Sequence, residues 1–420
     1  MDDLSIIASW LHISDLHVFS ESDTVLILED YLKLSKVISP EFIVISGDFR
    51  HLKYKTEFSS AEMFLESIID TFSVEKENTF IVPGNHDVNS YLGRDKAISD
   101  ICINCNKDYN AYYQYIKGED NLYKGFYEYG EFIHRFYNGS NVFDDRTLNP
   151  SGVYSIVWNN MINVLSINTA LISNGEKHDQ ILDLKALTEC KINPNFPTIM
   201  IGHHGIDSLY QSHRERIETI IDRRDISVFM HGDIHKYANN PIQKISTPNK
   251  SVPSIACGKS APQSGDIYSD IGVVYYEWKN DNNVYIQAYK WSTKGFIENS
   301  AYYYDINKRY SFPMLFSNNA IEKRKTNIVK MLKYLAKNDP ERFMIGDWIS
   351  EAEYVWNLDK NEVVGRSLLL YYYKKTKSGD SSFFSKAKDI YNDLKLIRNC
   401  EAKTNQMLNQ TRDLFDFDVS

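Results

Sequence analysis

No stretch of this 420-residue chain approaches the roughly 18 consecutive apolar residues that a membrane-spanning helix requires. Its first residues include Asp2 and Asp3, where an export signal would carry lysine or arginine. A cytoplasmic protein without membrane association is therefore expected. Cysteine is scarce: Cys102, Cys105, Cys190, Cys257 and Cys400 form an odd, scattered set. That excludes a disulfide framework and suits free thiols in a reducing compartment. The "CINC" at 102–105 has the spacing of half a zinc knuckle, but the second pair is missing. Positive charge is also short, with 47 Lys and Arg against 56 Asp and Glu and a net charge of −9. This argues against a surface coated for bulk nucleic-acid binding, though not against a local basic groove. No internal repeat occurs at the periods of known solenoids.

What is present is ordinary globular composition, 43% hydrophobic and 25% charged, at a length that suits two or three domains. The front of the chain alternates strand and helix. "SIIASWLHIS", "EFIVISGD" and "NTFIVPGN" read as buried strands. Between them lie two amphipathic helices. One is expected to turn Val25, Leu28, Leu32 and Val37 inward, the other Phe58, Ala61, Leu65, Ile68 and Ile69. Such alternation implies parallel strands joined by right-handed crossovers. Residues 88 to about 150 break this rhythm with tyrosines at helical spacing, as an inserted helical cap would. Core packing accounts for these tyrosines better than base stacking does.

Strands return at "GVYSIVW" and "INVLSIN", followed by "HDQILDLKALTEC" as helix, "TIMIG" as strand, "RERIETIIDRR" as helix and "SVFMHG" as strand. From 250 to 290 only strands and turns are expected. The fold class is α/β: two packed mixed sheets flanked by helices over residues 1–310, then an all-α domain over 318–420. The tail differs in charge, with 18 Lys and Arg against 15 Asp and Glu after residue 310.

Polar residues crowd the strand ends. In order they are Asp15 and His17; Asp48; Asn85 and His86; His203 and His204; then His231, Asp233 and His235. Burying so many ionisable groups would be costly without a use for them. Oxygen and imidazole donors without thiolates suit hard or borderline divalent ions. A carboxylate such as Asp48 can bridge two of them, and Asn85 would add a ligand without adding charge. Two ions a few ångströms apart can hold both oxygens of an in-line displacement at phosphorus. His86 is then left for the phosphate or the leaving group. Lone histidines such as His12, His134, His178 and His213 are read as packed or surface residues.

"DLH" at 15–17, "GD" at 47–48, "GNHD" at 84–87, "GHH" at 202–204 and "GDIH" at 232–235 resemble the calcineurin-like metallophosphoesterases. That family carries D-x-H, G-D, G-N-H-D/E, G-H and G-H-x-H in this order. The resemblance covers residues 5 to 300. It implies that Asp15, His17, Asp48 and His235 hold one ion, and that Asp48, Asn85, His203 and Asp233 hold a second. It also implies that His86 contacts the phosphate and donates a proton. Manganese is the first expectation, with iron, magnesium, zinc or nickel as alternatives. His204 and His51 are candidate substrate contacts.

Two departures stand out. Asp233 replaces the family's histidine, with His231 as competitor. "GDFRHLK" lacks the second aspartate of the protein phosphatase signature G-D-x-x-D-R-G. The expected activity is thus hydrolysis of a phosphodiester or phosphomonoester in a nucleotide, cyclic nucleotide or nucleic acid, including nuclease action. The alternative is a weakly active metal-binding scaffold whose tail, 318–420, recruits a protein partner or dimerises, as in a multiprotein phage-defence system.

Overall fold

The computed structural model describes residues 4–18, 21–51, 57–116, 121–138, 153–174, 179–234, 241–262, 271–300, 303–305 and 308–315, with isolated positions at 328–330, 332, 352 and 369. The chain divides into two compact units, Ala8–Phe316 and Met1–Ile7 with Ser317–Ser420. The tail helices expected over 318–420, and the partner surface assigned to them, lie almost wholly outside the described residues.

The three apolar runs at the front form β1 (Ile6–Ile13), β2 (Phe42–Ile45) and β3 (Thr79–Ile81). They pair in parallel, Trp10 opposite Phe42 and Ile43 opposite Thr79. The connections are α1 (Glu21–Leu34) and α2 (Phe58–Phe72). The second helix buries the expected Phe58, Ala61, Leu65, Ile68 and Ile69, and adds Phe64 and Phe72. The first helix departs from expectation. Val25, Leu32 and Val37 are exposed, whereas Ile27, Tyr31, Leu34 and Ile38 are buried. The stripe at 27, 31, 34 and 38 keeps the same helical spacing on an adjacent face. Tyr31 decides it, since its hydroxyl donates to the Ser260 carbonyl at 2.8 Å.

The segment after β3 is helical where described: α3 (Leu92–Ile103), α4 (Tyr109–Ile116), α5 (Asn121–Lys124) and α6 (Tyr127–Phe136). Most of its tyrosines serve packing. Tyr109, Tyr112, Tyr129 and Tyr137 are buried, and Tyr137 donates to the Thr79 carbonyl at 2.6 Å, tying the insert to β3. Tyr115 and Tyr127 remain exposed.

The second half supplies β4 (Tyr154–Trp158), β5 (Ile162–Ser166), β6 (Thr198–Ile201), β7 (Ile226–His231), β8 (Ile242–Ser246) and β9 (Ser251–Ala256). They form one mixed sheet in the order β4-β5-β6-β7-β9-β8, parallel from β5 through β9. Helices α7 (Leu184–Glu189) and α8 (Gln211–Arg223) link its middle strands. The expected helix over 178–190 is shorter because Asp183 caps it, accepting from the Ala186 amide at 2.8 Å.

The chain then returns to the first sheet with β10 (Gly272–Lys279), β11 (Asn283–Ser292), β12 (Gly295–Glu298) and, beyond a small ribbon of β13 (Tyr303–Asp305) and β14 (Lys308–Arg309), β15 (Ser311–Pro313). The order there is β12-β11-β10-β1-β2-β3, with β15 on β11. Two mixed sheets flanked by helices are therefore the architecture. Among the described residues, no helix is long and apolar enough to cross a membrane.

Candidate metal centre

Every described candidate follows the carboxyl end of a strand: Asp15 and His17 after β1, Asp48 after β2, Asn85 and His86 after β3, His203 and His204 after β6, and Asp233 after β7. Open α/β sheets place ligands at such ends. Here the ends of both sheets converge. His203 Nδ1 lies 2.7 Å from the Ser46 carbonyl, and the Asp233 amide donates to Asp15 Oδ2 at 3.1 Å.

The turns that carry these side chains are strained. Asp15, His17, Asp48 and Asp233 have positive φ, between 42° and 60°. Non-glycine residues seldom adopt that region, and such strain gathers at functional sites. Glycine is required where loops cross. A Cβ on Gly47, at φ 94°, would meet the Gly84 amide nitrogen at 2.6 Å, and one on Gly232 would overlap Ser14 Oγ.

Asp87 holds the β2 turn in place. Its Oδ2 accepts from the amides of Asp48 and Gly84, both at 2.8 Å, and its Oδ1 from Phe49 at 2.9 Å. Burial and the nearby Asp48 carboxylate push Asp87 up to about 7, against the pull of these donors and of Arg50. Its hydrogen bonds are with the loop, a fourth coming from the Arg50 amide at 3.4 Å.

At the centre is Asp48. Its Oδ1 accepts from the His86 amide at 2.8 Å, while its buried Oδ2 makes no hydrogen bond among the described residues. Three imidazole Nε2 atoms stand around that oxygen: His203 at 3.4 Å, His17 at 3.5 Å and His86 at 4.0 Å. These separations are long for hydrogen bonds, and those of His203 and His17 suit donors sharing an ion. The tautomers point the same way. His203 Nδ1 donates to Ser46 and His17 Nδ1 to the Arg50 carbonyl at 3.4 Å. Each neutral ring then turns a lone pair inward on Nε2, the arrangement that outer-sphere hydrogen bonds impose on metal-bound histidines. His203 Nε2 faces Asn85 Oδ1 at 2.8 Å, another acceptor. Acceptor facing acceptor is repulsive unless a cation or a proton stands between them.

The electrostatics agree. Burial opposes charge on His17 and His203, yet Asp15 and Asp48 hold His17 above its ordinary value, and Asp48, Asp15 and Asp233 hold His203 well above its own. Burial would raise Asp48, but His203, His17 and His86 bring it well below the usual carboxylate range. A site that would otherwise need protons on its imidazoles is one in which divalent ions can replace them.

Among the described residues, three groups have ligand atoms within 4.8 Å of one another: Asp15, Asp48 and His203; His17, Asp48 and His86; and His203, His204 and Asp233. Asp48 belongs to two of them. Asp233 Oδ1 lies 4.0 Å from His203 Nε2. His231 is turned elsewhere, with Nδ1 3.0 Å from the Gly232 carbonyl and the ring beneath Gly205. His204 sits beside His203, its Nδ1 3.1 Å from Thr169 Oγ1, and burial lowers it to about 3. His51 and His86 have ring centroids 5.3 Å apart. Burial lowers His86 to about 4, with Asp48 opposing and His17 and His51 adding to the fall. His235 lies outside the described residues.

Among the lone histidines, His12 and His213 are buried and hydrogen-bonded, to Ser46 Oγ and to the Leu182 amide, and His134 is exposed. His178 lies outside the described residues.

The sequence reading passed over two side chains. Thr169 Oγ1 accepts from the amides of His203 and His204 and so fixes their turn. Arg50 is buried inside the "GDFRH" block. It donates from Nε to the His86 carbonyl at 3.3 Å, from Nη1 to Glu128 at 2.6 Å and from Nη2 to Asn89. Its position within a motif was its only signal. Beside it opens a cavity of about 1210 Å³, walled by Arg50, Phe58, Asn89, Tyr91, Tyr127 and Glu128 among others. None of the described candidate ligands lines it, so it flanks those residues instead of covering them.

A family model described as calcineurin-like phosphoesterase matches residues 9–237. The uncharacterized metallophosphoesterase-like protein YydB of Bacillus subtilis (strain 168) is 26% identical over 245 residues, 55% of this chain and 49% of that protein. The chain thus spans about half the length of that curated relative. Among solved structures, GAP50 of Plasmodium is 14% identical at a TM-score of 0.36, over 75% of this chain and 93% of its own. Vacuolar protein sorting 29 of Cryptosporidium parvum is 10% identical at a TM-score of 0.31, over 70% and 95% respectively.

Proposed function

The chain belongs to the calcineurin-like phosphoesterase family, and from that membership we propose that it hydrolyses a phosphoester bond at two divalent ions gathered around Asp48. Asp15, His17 and Asp48 are assigned to one ion, with His235 as the fourth ligand carried by the motif. Asp48, Asn85, His203 and Asp233 are assigned to the other. The observation that carries this reading is the ring of Nε2 atoms around Asp48 Oδ2, with His203 aimed at a second acceptor on Asn85. When bound, the ions supply the charge that acidifies a water nucleophile and neutralises phosphoryl oxygens.

The chain's own residues do the rest. Asp87 and Thr169 hold the turns that present the ligands. His86, off the ligand set and 24% exposed in its side chain, meets the phosphate and gives a proton to the leaving oxygen. An arriving phosphate anion favours charge on its ring, which burial alone disfavours.

The donor set contains oxygen and nitrogen but no sulfur, which favours manganese, magnesium or iron over softer choices. The carboxylate of Asp233, in place of an imidazole, pushes the same way. A nucleotide, cyclic nucleotide or nucleic-acid diester is the proposed substrate class. It is supported by the missing second aspartate of the protein phosphatase signature and by the aromatic wall of Phe58, Tyr91 and Tyr127 beside the centre. The test is a panel assayed with manganese: bis-p-nitrophenyl phosphate, cyclic nucleotides, dinucleotides, single- and double-stranded DNA, and RNA. Metal-dependent turnover of a nucleotide or nucleic acid is expected. Metal-dependent turnover of bis-p-nitrophenyl phosphate with none of the nucleotides or nucleic acids would reject the substrate class.

A further inference from the structure

Arg50 is bonded on both flanks to the histidines that face Asp48 Oδ2. Its carbonyl accepts from His17 Nδ1, and its guanidinium donates to the His86 carbonyl. Each guanidinium nitrogen has a partner. Nη1 pairs with Glu128 at 2.6 Å, Nη2 meets Asn89, and the plane lies over the Phe58 ring at 4.5 Å. Arg50 is 4% exposed, so this ion pair is held in place where a surface pair would be loose. Glu128, on the first turn of α6, is the open end of the chain of contacts, with its side chain 53% exposed on the cavity wall. A group that rests against Glu128 in that cavity touches a residue that grips Arg50, which in turn grips the main chain of His86.

We propose that Arg50 and Glu128 are positioning residues for His86, and that the cavity beside them receives the body of the leaving group. This rests on the proton-donor reading of His86 above. In the step concerned, water oxygen forms the new bond to phosphorus and releases a proton to solvent. The bond from phosphorus to the leaving oxygen breaks, its electron pair stays on that oxygen, and the oxygen takes the proton of His86 Nε2. Solvent restores that proton. The charge balance of the cavity suits one leaving nucleoside better than a long polyanion, because Arg50, Lys124 and Arg135 are matched by Glu57, Glu128 and Glu131.

The experiment compares two diesters with manganese. Thymidine 5′-(p-nitrophenyl phosphate) has a leaving group that departs without a proton, whereas dithymidine monophosphate needs one. Parent, Glu128→Gln, Arg50→Lys and His86→Gln are measured, each with its metal content. Glu128→Gln and Arg50→Lys are expected to lower kcat on the dinucleotide by about 10- to 100-fold, the cost of a misplaced group. The loss on the aryl ester should stay within about threefold, with metal content unchanged. His86→Gln, which also loses the phosphate contact, should slow both diesters, and the dinucleotide by the larger factor. If His86→Gln is selective while Glu128→Gln and Arg50→Lys slow both diesters equally or neither, the positioning proposal is wrong and the proton-donor reading stands. If His86→Gln itself shows no selectivity, or the parent turns over neither diester, the reading beneath it fails and takes the proposal with it.

Discussion

Replacing Asp87 by alanine removes no proposed ligand, yet it should undo the centre. The carboxylate receives three backbone amides at 2.8–2.9 Å, from Asp48, Phe49 and Gly84, in a fully buried position. Each buried donor left without an acceptor costs ~1–3 kcal/mol. Water entering the vacated space recovers part of that, so a net loss of ~3–5 kcal/mol is expected. For a unit of about 310 residues that is a fall in Tm of ~5–8 °C. The second consequence is local. Asp48 is held at φ 58°, a conformation that persists only while its surroundings enforce it. Freed of Asp87, the turn relaxes and Asp48 Oδ2 leaves its place among the three imidazoles. Thermal unfolding in EDTA reads the first effect, and metal content after dialysis against manganese reads the second. Asp87→Asn, which keeps one accepting oxygen but turns a donor toward the amides, should fall between parent and Asp87→Ala. An Asp87→Ala protein that melts within 2 °C of the parent (on the order of 1 kcal/mol) and binds manganese fully would refute the reasoning.

Two further outcomes are expected. Asp233→Ala should lose one ion while His231→Ala keeps both, because only Asp233 faces His203; the reverse result in metal analysis would reassign that ligand. His213 links the Leu182 amide to the Lys107 carbonyl as a neutral ring, and burial holds it below its ordinary value. With a lowered folded pKa, its contribution is whole above the unfolded value of about 6.5 and is lost as pH falls below it, by up to ~1.4 kcal/mol per unit. Urea unfolding at pH 7.5 and 5.5 should show the gap between parent and His213→Gln narrowing at the lower pH; an unchanged gap would show that the ring is not held neutral.

The centre was legible because its chemistry is local. A buried strand, a glycine and then a cluster of ionisable side chains is a pattern within eight residues, and it recurs in chain order. The left-handed turns at Asp15, His17, Asp48 and Asp233 left no comparable trace, since aspartate and histidine tolerate that region without requiring it. The inward face of α1 was misread because its apolar residues are spread over two adjacent faces, and a contact from Tyr31 to Ser260, far along the chain, decides between them. Strand β8 went unnoticed for a similar reason. As an edge strand it buries only Ile245, so no apolar run marks it. Arg50 has meaning only through Glu128 and Asn89, which lie 78 and 39 residues away, and no spacing rule joins them.

The central claim is that Asp48 is shared between two divalent ions. Equilibrium dialysis against manganese followed by metal analysis, on the parent and on Asp48→Ala, tests it most directly. Two ions per chain in the parent are predicted, with at most one in Asp48→Ala and hydrolysis of bis-p-nitrophenyl phosphate lost with them. An Asp48→Ala protein that retains two ions and near-parental turnover would contradict the account.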